Sequence, residues 1–199
     1  MDIIGNHERN RINKVFKTVD KKSDKFPEYR AFVIFKMINF TTQYVNELVP
    51  KSEQRNKIFK PSMLIFDEMK QLKYRVFGNF NGVTQSISIH DMHGTVVAKL
   101  RKHRKFRKKD YVEITYGAGG SQRLYTGGST DVPGLKYKGK LLSCEGDVYF
   151  QDQRTVHIER KASEYIVFVL DGVDERVGLA LTIARYLELS VRDIDNSGG

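Results

Sequence analysis

The chain has 199 residues, a formal net charge of +10 and one cysteine, Cys144. Its hydrophobic content of 40% is that of a folded domain with one sizeable core, which excludes a disordered chain. A single cysteine excludes an internal disulfide, and the N-terminus lacks the apolar core of a secretory signal. Both features predict a cytoplasmic protein. The excess of positive charge predicts an anionic partner, which can be nucleic acid, anionic lipid or acidic protein.

The first 28 residues form a charged N-terminal extension in which apolar residues recur at helical spacing. These positions are Ile12, Val15, Phe16 and Val19. Basic residues flank them, so the pattern predicts a short basic amphipathic helix that ends before Pro27. The helix either docks its apolar face on the main domain or contacts a membrane. Docking is favoured because most such helices cover a core.

A long series of short β-strands follows this extension. Tyr29–Asn39 is rich in β-branched and aromatic residues and predicts the first strand. Residues 40–60 read as an insertion, with one or two helical turns before Pro50. Turn residues separate the remaining predicted strands, which are Met63–Asp67, Leu72–Phe80, Thr84–His90, Thr95–Lys102, Tyr111–Tyr116, Arg123–Tyr125, Leu135–Leu142, Glu145–Phe150, Thr155–Arg160 and Glu164–Leu170.

Polar and apolar residues alternate clearly in two of these strands, Gln85–Ile89 and Thr155–Glu159. Because successive side chains of a strand point to opposite faces, each should have one solvated and one buried face. The run Ile166–Leu170 is apolar throughout. It therefore predicts a strand that is covered on both faces.

The strongest helical segment, Val173–Val191, ends the domain. It is apolar on most of its circumference, whereas a surface helix needs only one apolar face. The segment is therefore predicted to be enclosed by a β-barrel or a deeply curled sheet, and packing on one face of a sheet is the alternative. Asp171 or Asp174 can cap its start. Residues 193–199 read as a frayed tail.

Two charged residues, Arg185 and Glu188, fall inside this apolar segment. They interrupt it, and it is also too short for a bilayer span of about 20 mostly apolar residues. Their spacing of three residues allows them to pair with each other on one helix face. We expect such a pair near the open end of a barrel, unless the helix lies partly outside it.

Three further segments resemble the tubby C-terminal-like superfamily, in its LURP-one-related and phospholipid scramblase-like branch. They are Tyr74–Gly78, the run from Ile87 to Ala98, and Tyr111–Ile114. Together they follow the sequence pattern of that branch, which is V-x-G and then I-x-D-x-x-G-x-x-V-A. An apolar helix after an acidic turn ends the family domain, and Asp171–Leu187 matches that ending.

The resemblance covers residues 29–192 and implies a closed antiparallel β-barrel of about twelve strands around the buried C-terminal helix. The fold class expected is therefore mainly β (α+β), with a short helical N-terminal extension. Residues 1–28 have no counterpart in the minimal family domain, and residues 40–60 are an insertion in it.

The strongest candidate site is a basic hairpin between two predicted strands, in which Arg101–Lys109 holds seven Lys or Arg residues and no acid. Clustered cations attract anionic lipid by about 1 kcal/mol per charge, and Phe106 could insert as an apolar anchor. The resemblance implies the same, because tubby proteins bind phosphoinositides with basic residues in this part of the barrel. The alternative is a solvated turn that keeps sheet edges apart. The candidate lipid- or anion-binding residues are Arg101, Lys102, Arg104, Lys105, Phe106, Arg107, Lys108 and Lys109.

Other motifs give no positive reason to expect an enzyme, a metal or a cofactor. His90 and His93 fit a tight turn closed by Gly94 better than a metal site, because no third ligand cluster is visible. The glycine-rich run 117–121 lacks the Lys-Ser/Thr ending of a phosphate loop and reads as a flexible hairpin. No nucleophile elbow or ordered triad is present.

The sequence thus predicts a non-catalytic cytoplasmic binding module that contacts anionic phospholipid or phosphoinositide headgroups, peripherally at the inner membrane surface. A nucleic-acid binder that uses the same patch is the main alternative, with thin stacking support because Phe106 is the only aromatic residue in the run. A scaffold without a ligand is a further alternative. A scramblase-like transporter is disfavoured because Arg185 and Glu188 interrupt the helix that would have to insert.

Overall fold

The protein is described from a computed structural model that covers residues 6–36, 62–78, 86–103, 109–139, 143–161 and 164–189. In these ranges it has one N-terminal helix, α1 (Asn6–Ser23), and one C-terminal helix, α2 (Glu175–Leu189). Eleven strands lie between them: β1 (Tyr29–Lys36), β2 (Met63–Asp67), β3 (Leu72–Gly78), β4 (Ser86–Asp91), β5 (Val96–His103), β6 (Tyr111–Tyr116), β7 (Ser121–Tyr125), β8 (Leu135–Gly139), β9 (Gly146–Phe150), β10 (Gln153–Lys161) and β11 (Glu164–Leu170).

The strands form one sheet in the order β7-β6-β5-β4-β3-β2-β1-β11-β10-β9-β8, and all neighbours are antiparallel. Nearly every step joins strands that are consecutive in the chain, and the fully described connections β2–β3, β4–β5, β6–β7 and β9–β10 are tight turns. The exception brings β11 beside β1, which places the last strand in the middle of the sheet. The predicted strands are confirmed wherever the structure describes them.

The predicted closed barrel of about twelve strands is wrong in one respect, because strand pairing does not close the sheet. The edge strands β7 and β8 run in the same direction, as the first and last of eleven antiparallel strands must. They therefore cannot complete an antiparallel ring. The chain between them forms only isolated bridges, from Thr130 to Leu124 of β7 and from Ser129 to Lys136 of β8.

The centre of the sheet is buried on both faces, as the apolar run in β11 predicted. Alternate residues of β11 belong to two hydrophobic clusters, with Val167 in the inner cluster and Phe168 in the outer one. Strands β1 and β2 divide their side chains in the same way. Covering both faces in this manner requires one helix on each side of the sheet.

Helix α1 covers the outer face. Its four predicted apolar residues are all buried and pack in the outer cluster, which also holds alternate residues of β1, β2 and β11. Two ion pairs attach the helix to the sheet, one from Arg11 to Glu164 and one from Lys22 to Glu159. The predicted docking of this amphipathic helix on the main domain is confirmed.

Helix α2 covers the inner face and is enclosed there. It contacts β5, β6 and β7 on one arm of the sheet and β10 and β11 on the other, so the sheet curls around it. Residues 178–185 and 187–188 are all buried. Burial on this much of the circumference agrees with the predicted enclosure and exceeds what one flat sheet face would give.

Asp174, not Asp171, caps the start of α2. The backbone N–H of Arg176 donates to Asp174 Oδ1 at 3.0 Å, which satisfies an N–H group that the first turn cannot pair internally. The Arg176 guanidinium also donates to the same carboxylate, at 2.6 Å for the shortest contact. This hydrogen bond lowers the pKa of Asp174 against the opposing effect of partial burial.

We expect Asp174→Asn to keep the cap and remove the charge. Because the folded-state pKa of Asp174 is lowered, the carboxylate adds stability above its unfolded pKa of about 4 and loses it as pH falls through the folded pKa. Urea unfolding should therefore show the wild type more stable by less than about 1 kcal/mol near neutral pH, with the difference shrinking in acid. A difference that stays constant from neutral to acidic pH would contradict this account.

Candidate anion-binding surface

One end of the sheet gathers cationic residues from many strands. Strands β1, β5, β8 and β10 all end there, because they run in the same direction through the antiparallel sheet. The C-terminus of α2 lies at the same end. We call this region the basic end; its described basic residues are Lys36, Arg101, Lys102, His103, Lys109, Lys138, Arg160 and Lys161.

At the basic end, the cationic and the anionic side chains differ in their exposure to solvent. Among its described residues, every exposed charged side chain is cationic: Arg101, Lys109, Lys138, Arg160 and Lys161. The carboxylates nearby, on Asp110, Glu145, Glu164 and Glu188, are buried or half-buried. At the opposite end, exposed residues of both signs are mixed, such as Asp152 and Lys136, which pair at 3.5 Å. Among the described residues, the exposed charge at the basic end is therefore of one sign.

The predicted basic hairpin is only partly described. Arg104, Lys105, Phe106, Arg107 and Lys108 lie outside the described residues. The structure places Arg101 and Lys109 in exposed positions at the hairpin's two sides, with Arg101 opposite Glu113 in the β5–β6 ladder.

His103 packs within this hairpin and bonds to its neighbour strand. Its ring stacks on Tyr111 at a centroid distance of 4.7 Å, and its Nε2 lies 3.2 Å from Glu113 Oε2. Both partners belong to β6, so the contact ties the end of β5 to the start of β6. His103 thereby supports the base of the hairpin.

Lys102 has a structural role that the sequence pattern did not indicate. Its Nζ donates to the backbone oxygen of Glu188 at 3.1 Å, at the C-terminus of α2. The last carbonyls of a helix lack internal donors, and the helix dipole favours a cation beside them. Helix α2 has no basic residue in its own last turn. That absence is the one signal in the sequence that a cation from elsewhere would be needed.

A buried ion pair lies beneath the basic end. Arg185 and Glu188 pair as their spacing predicted, and their side chains are only 2% and 3% exposed, so they are inside the fold. The guanidinium carbon of Arg185 lies 5.5 Å from the Tyr137 ring centroid, and Tyr137 donates its hydroxyl to the Cys144 carbonyl at 2.8 Å. The cluster joins α2 to β8 and to the chain before β9.

Cys144 is not a reactive thiol in this setting. Burial raises its pKa to about 11, so the thiolate is scarce near neutral pH. Burial likewise raises the pKa of Tyr137 and of Tyr165, which is hydrogen-bonded to the cysteine side chain. Burial thus holds Cys144, Tyr137 and Tyr165 in their neutral forms near neutral pH.

Aromatic rings hold one cation at the rim of the basic end. Lys36 Nζ lies 4.3 Å from the Tyr186 ring centroid and 5.6 Å from that of Tyr165, within the range of a cation–π interaction. Lys36, Lys138, Arg160 and Lys161 were not predicted as site residues. They lie far from the predicted hairpin in sequence, and the strand order brings them to the same end.

The segment from His90 to Gly94 and the glycine-rich run 117–121 both form turns, as predicted. Asp91 Oδ1 accepts from the backbone N–H groups of His93 and Thr95 at 2.9 and 2.8 Å, and Gly94 has a φ of 84°. Gly119 and Gly120 also have positive φ in the β6–β7 turn. Within the described ranges, no three His, Cys, Asp or Glu residues converge on a point that could hold a metal ion.

Comparisons with known proteins show little. No protein-family model and no curated protein matches the chain. One solved structure, of a protein from Arabidopsis thaliana, is similar over 85% of this chain and 93% of its own, with 15% identity and a TM-score of 0.41. Neither helix in the described part of the chain is long and apolar enough to cross a bilayer.

Proposed function

We propose that the chain is a non-catalytic binding module that contacts anionic phospholipid or phosphoinositide headgroups through its basic end, peripherally on the cytoplasmic side of a membrane. The observation that carries the proposal is the separation of charge by exposure at that end. Arg101, Lys109 and Lys161 are exposed to solvent, whereas the neighbouring carboxylates are buried or half-buried. Within the described ranges, a planar anionic surface that approaches this end meets exposed cations and no exposed carboxylate.

The residues inside the fold favour binding over catalysis. The one thiol, Cys144, is buried with a raised pKa, and the polar cluster around it is enclosed by α2 and the sheet. A nucleophile in that position has neither the thiolate form nor access to a substrate. The exposed chemistry of the basic end consists of ammonium and guanidinium groups, which bind anions by charge.

We also propose kinship with the tubby C-terminal-like superfamily, in its LURP-one-related and scramblase-like branch. The motif residues quoted above support it, as does an antiparallel sheet curled around a C-terminal helix that follows an acidic turn. In tubby proteins, basic residues in this part of the barrel bind phosphoinositides. The kinship and the charge distribution therefore favour the same ligand class.

Neutralising the basic end should abolish binding to anionic vesicles. A cation near an anionic membrane contributes about 1 kcal/mol, so removing four should weaken binding by more than about a hundredfold at low salt. The measurement is sedimentation with vesicles of phosphatidylcholine with and without phosphatidylserine. The variant replaces four exposed residues with glutamine: Arg101, Lys109, Arg160 and Lys161. A second variant tests the hairpin tip by changing Arg104, Lys105, Arg107 and Lys108 to alanine.

The matched control removes exposed cations from the opposite end, with Lys73→Gln and Lys136→Gln. It should bind anionic vesicles as the wild type does, because those lysines lie away from the basic end. Equal binding to neutral and anionic vesicles would contradict the proposal, as would unchanged binding by both basic-end variants. A salt-dependent mobility shift on DNA or RNA without vesicle binding would instead favour nucleic acid as the ligand.

A further inference from the structure

A second cationic site lies on the N-terminal helix, away from the basic end. Helix α1 docks through its apolar face, which leaves an exposed stripe of Asn10, Asn13, Lys14 and Lys17. The turn between β2 and β3 brings Lys70 beside this stripe. Together these five residues line a cavity of about 430 Å³. All the described residues that line it are lysines or asparagines.

The backbone at Lys70 is held in a conformation that lysine does not favour. Its φ is 63°, in the left-handed region where glycine or asparagine is the usual residue and other side chains cost about 1 kcal/mol. Hydrogen bonds fix the turn: Lys70 donates its N–H to the Asp67 carbonyl at 3.0 Å, and Gln71 donates to Asp67 Oδ1 at 2.8 Å. A glycine would meet the needs of this turn at lower cost, so the lysine side chain is the feature to explain.

The turn directs the Lys70 side chain onto the helix. Its Nζ lies 3.5 Å from Asn13 Oδ1 and 5.7 Å from the centroid of the Phe16 ring. The ammonium group is therefore held beside the helix, and Lys14 and Lys17 of the exposed stripe line the same cavity. Three like charges around one cavity repel one another, and an anion placed between them would relieve that repulsion.

We propose that this cavity binds the phosphate group of a phosphorylated ligand. Three ammonium groups and the NH2 groups of two carboxamides can donate hydrogen bonds to phosphate oxygens, and the ammonium groups supply a positive charge that balances a phosphate dianion. The phosphate belongs either to a soluble phosphorylated molecule or to a lipid headgroup. Met69, next to Lys70 and 73% exposed, is a side chain that a lipid surface could receive.

The Lys70→Gly variant tests the site without damaging the fold. Glycine fits a φ of 63°, so relief of strain offsets the greater freedom of glycine in the unfolded chain and stability should change little. Loss of one charge-assisted contact should weaken binding of inorganic pyrophosphate by about tenfold or more, measured by isothermal titration calorimetry. Lys14→Gln combined with Lys17→Gln should weaken it at least as much.

Lys21→Gln is the matched control, because Lys21 is exposed on the same helix but does not line the cavity. It should bind pyrophosphate as the wild type does. Parallel sedimentation with phosphatidylcholine vesicles containing phosphatidic acid separates the sources. Loss of pyrophosphate binding in Lys70→Gly identifies a soluble ligand class, whereas loss of vesicle binding alone identifies a headgroup.

Three results would overturn the proposal. They are no wild-type binding to either probe, wild-type affinity in Lys70→Gly, and an equal loss of affinity in Lys21→Gln. The site stands apart from the proposed membrane surface, since the glutamine variant of the basic end should keep full pyrophosphate binding. Failure of one proposal can therefore be told from failure of the other.

Discussion

Replacing Glu188 with leucine is expected to lower the free energy of unfolding by about 3–5 kcal/mol, the cost of breaking a buried ion pair by removing one partner. Arg185 and Glu188 are both enclosed between α2 and the sheet, at 2% and 3% exposure. Without the carboxylate, the guanidinium stays buried beside the Tyr137 ring, which stabilises a cation far less than an opposite charge does. Urea unfolding followed by circular dichroism measures the effect.

The double variant Arg185→Met, Glu188→Leu separates burial of charge from loss of packing. Because it removes both charges and keeps apolar bulk, it should be more stable than Glu188→Leu alone. Lys102 still donates to the backbone oxygen at position 188 in every variant, so the helix cap stays constant. A double variant as unstable as the two single losses added together would show that the pair is not coupled.

Most of the strands could be predicted because their information is local. Tyr111–Tyr116 and Glu164–Leu170 have the predicted boundaries, since β-branched and aromatic runs end there at turn residues. The burial of α2 could also be predicted from the sequence, because a helix that is apolar on most of its circumference is unfavourable when exposed to water. The residue that caps the start of this helix, Asp174, is of a type that commonly caps helices.

The open sheet could not be predicted, because closure depends on pairing between the two edge strands and not on a local residue pattern. Eleven antiparallel strands leave β7 and β8 pointing the same way, and one missed or added strand would reverse that result. The connection between them contains Gly127 and Gly128, both with positive φ, and Pro133. These residues read as turn signals, and the bridges at Ser129 and Thr130 are too isolated to give a strand pattern.

The candidate site was predicted from one run of charged residues. That prediction missed the cations that other strands contribute to the same end of the sheet. Lys138, Arg160 and Lys161 come from the β8 and β10 ends, more than a strand away from the hairpin in sequence. Conversely, Lys102 belongs to the charge run but serves the C-terminus of α2. A run of like charges therefore indicates which end of the sheet is basic, without saying which of its members are exposed there.

Replacing Phe16 with alanine is expected to loosen α1 selectively. Phe16 is fully buried in the outer cluster, and truncating a buried phenylalanine costs about 3–5 kcal/mol. The inner cluster around α2 lies on the other side of the sheet and shares none of these contacts. Amide hydrogen exchange in α1 should accelerate by more than about a hundredfold, with a smaller change in α2.

The control is Thr18→Ala, which removes a half-buried hydroxyl on the same helix and should change α1 exchange little. Equal acceleration in α1 and α2 would contradict the separation into two cores and indicate one cooperative unit. The variant also bears on the phosphate cavity, because docking of α1 brings Lys14 and Lys17 to the cavity that Lys70 lines. Phe16→Ala should therefore weaken pyrophosphate binding while leaving vesicle binding at the basic end intact.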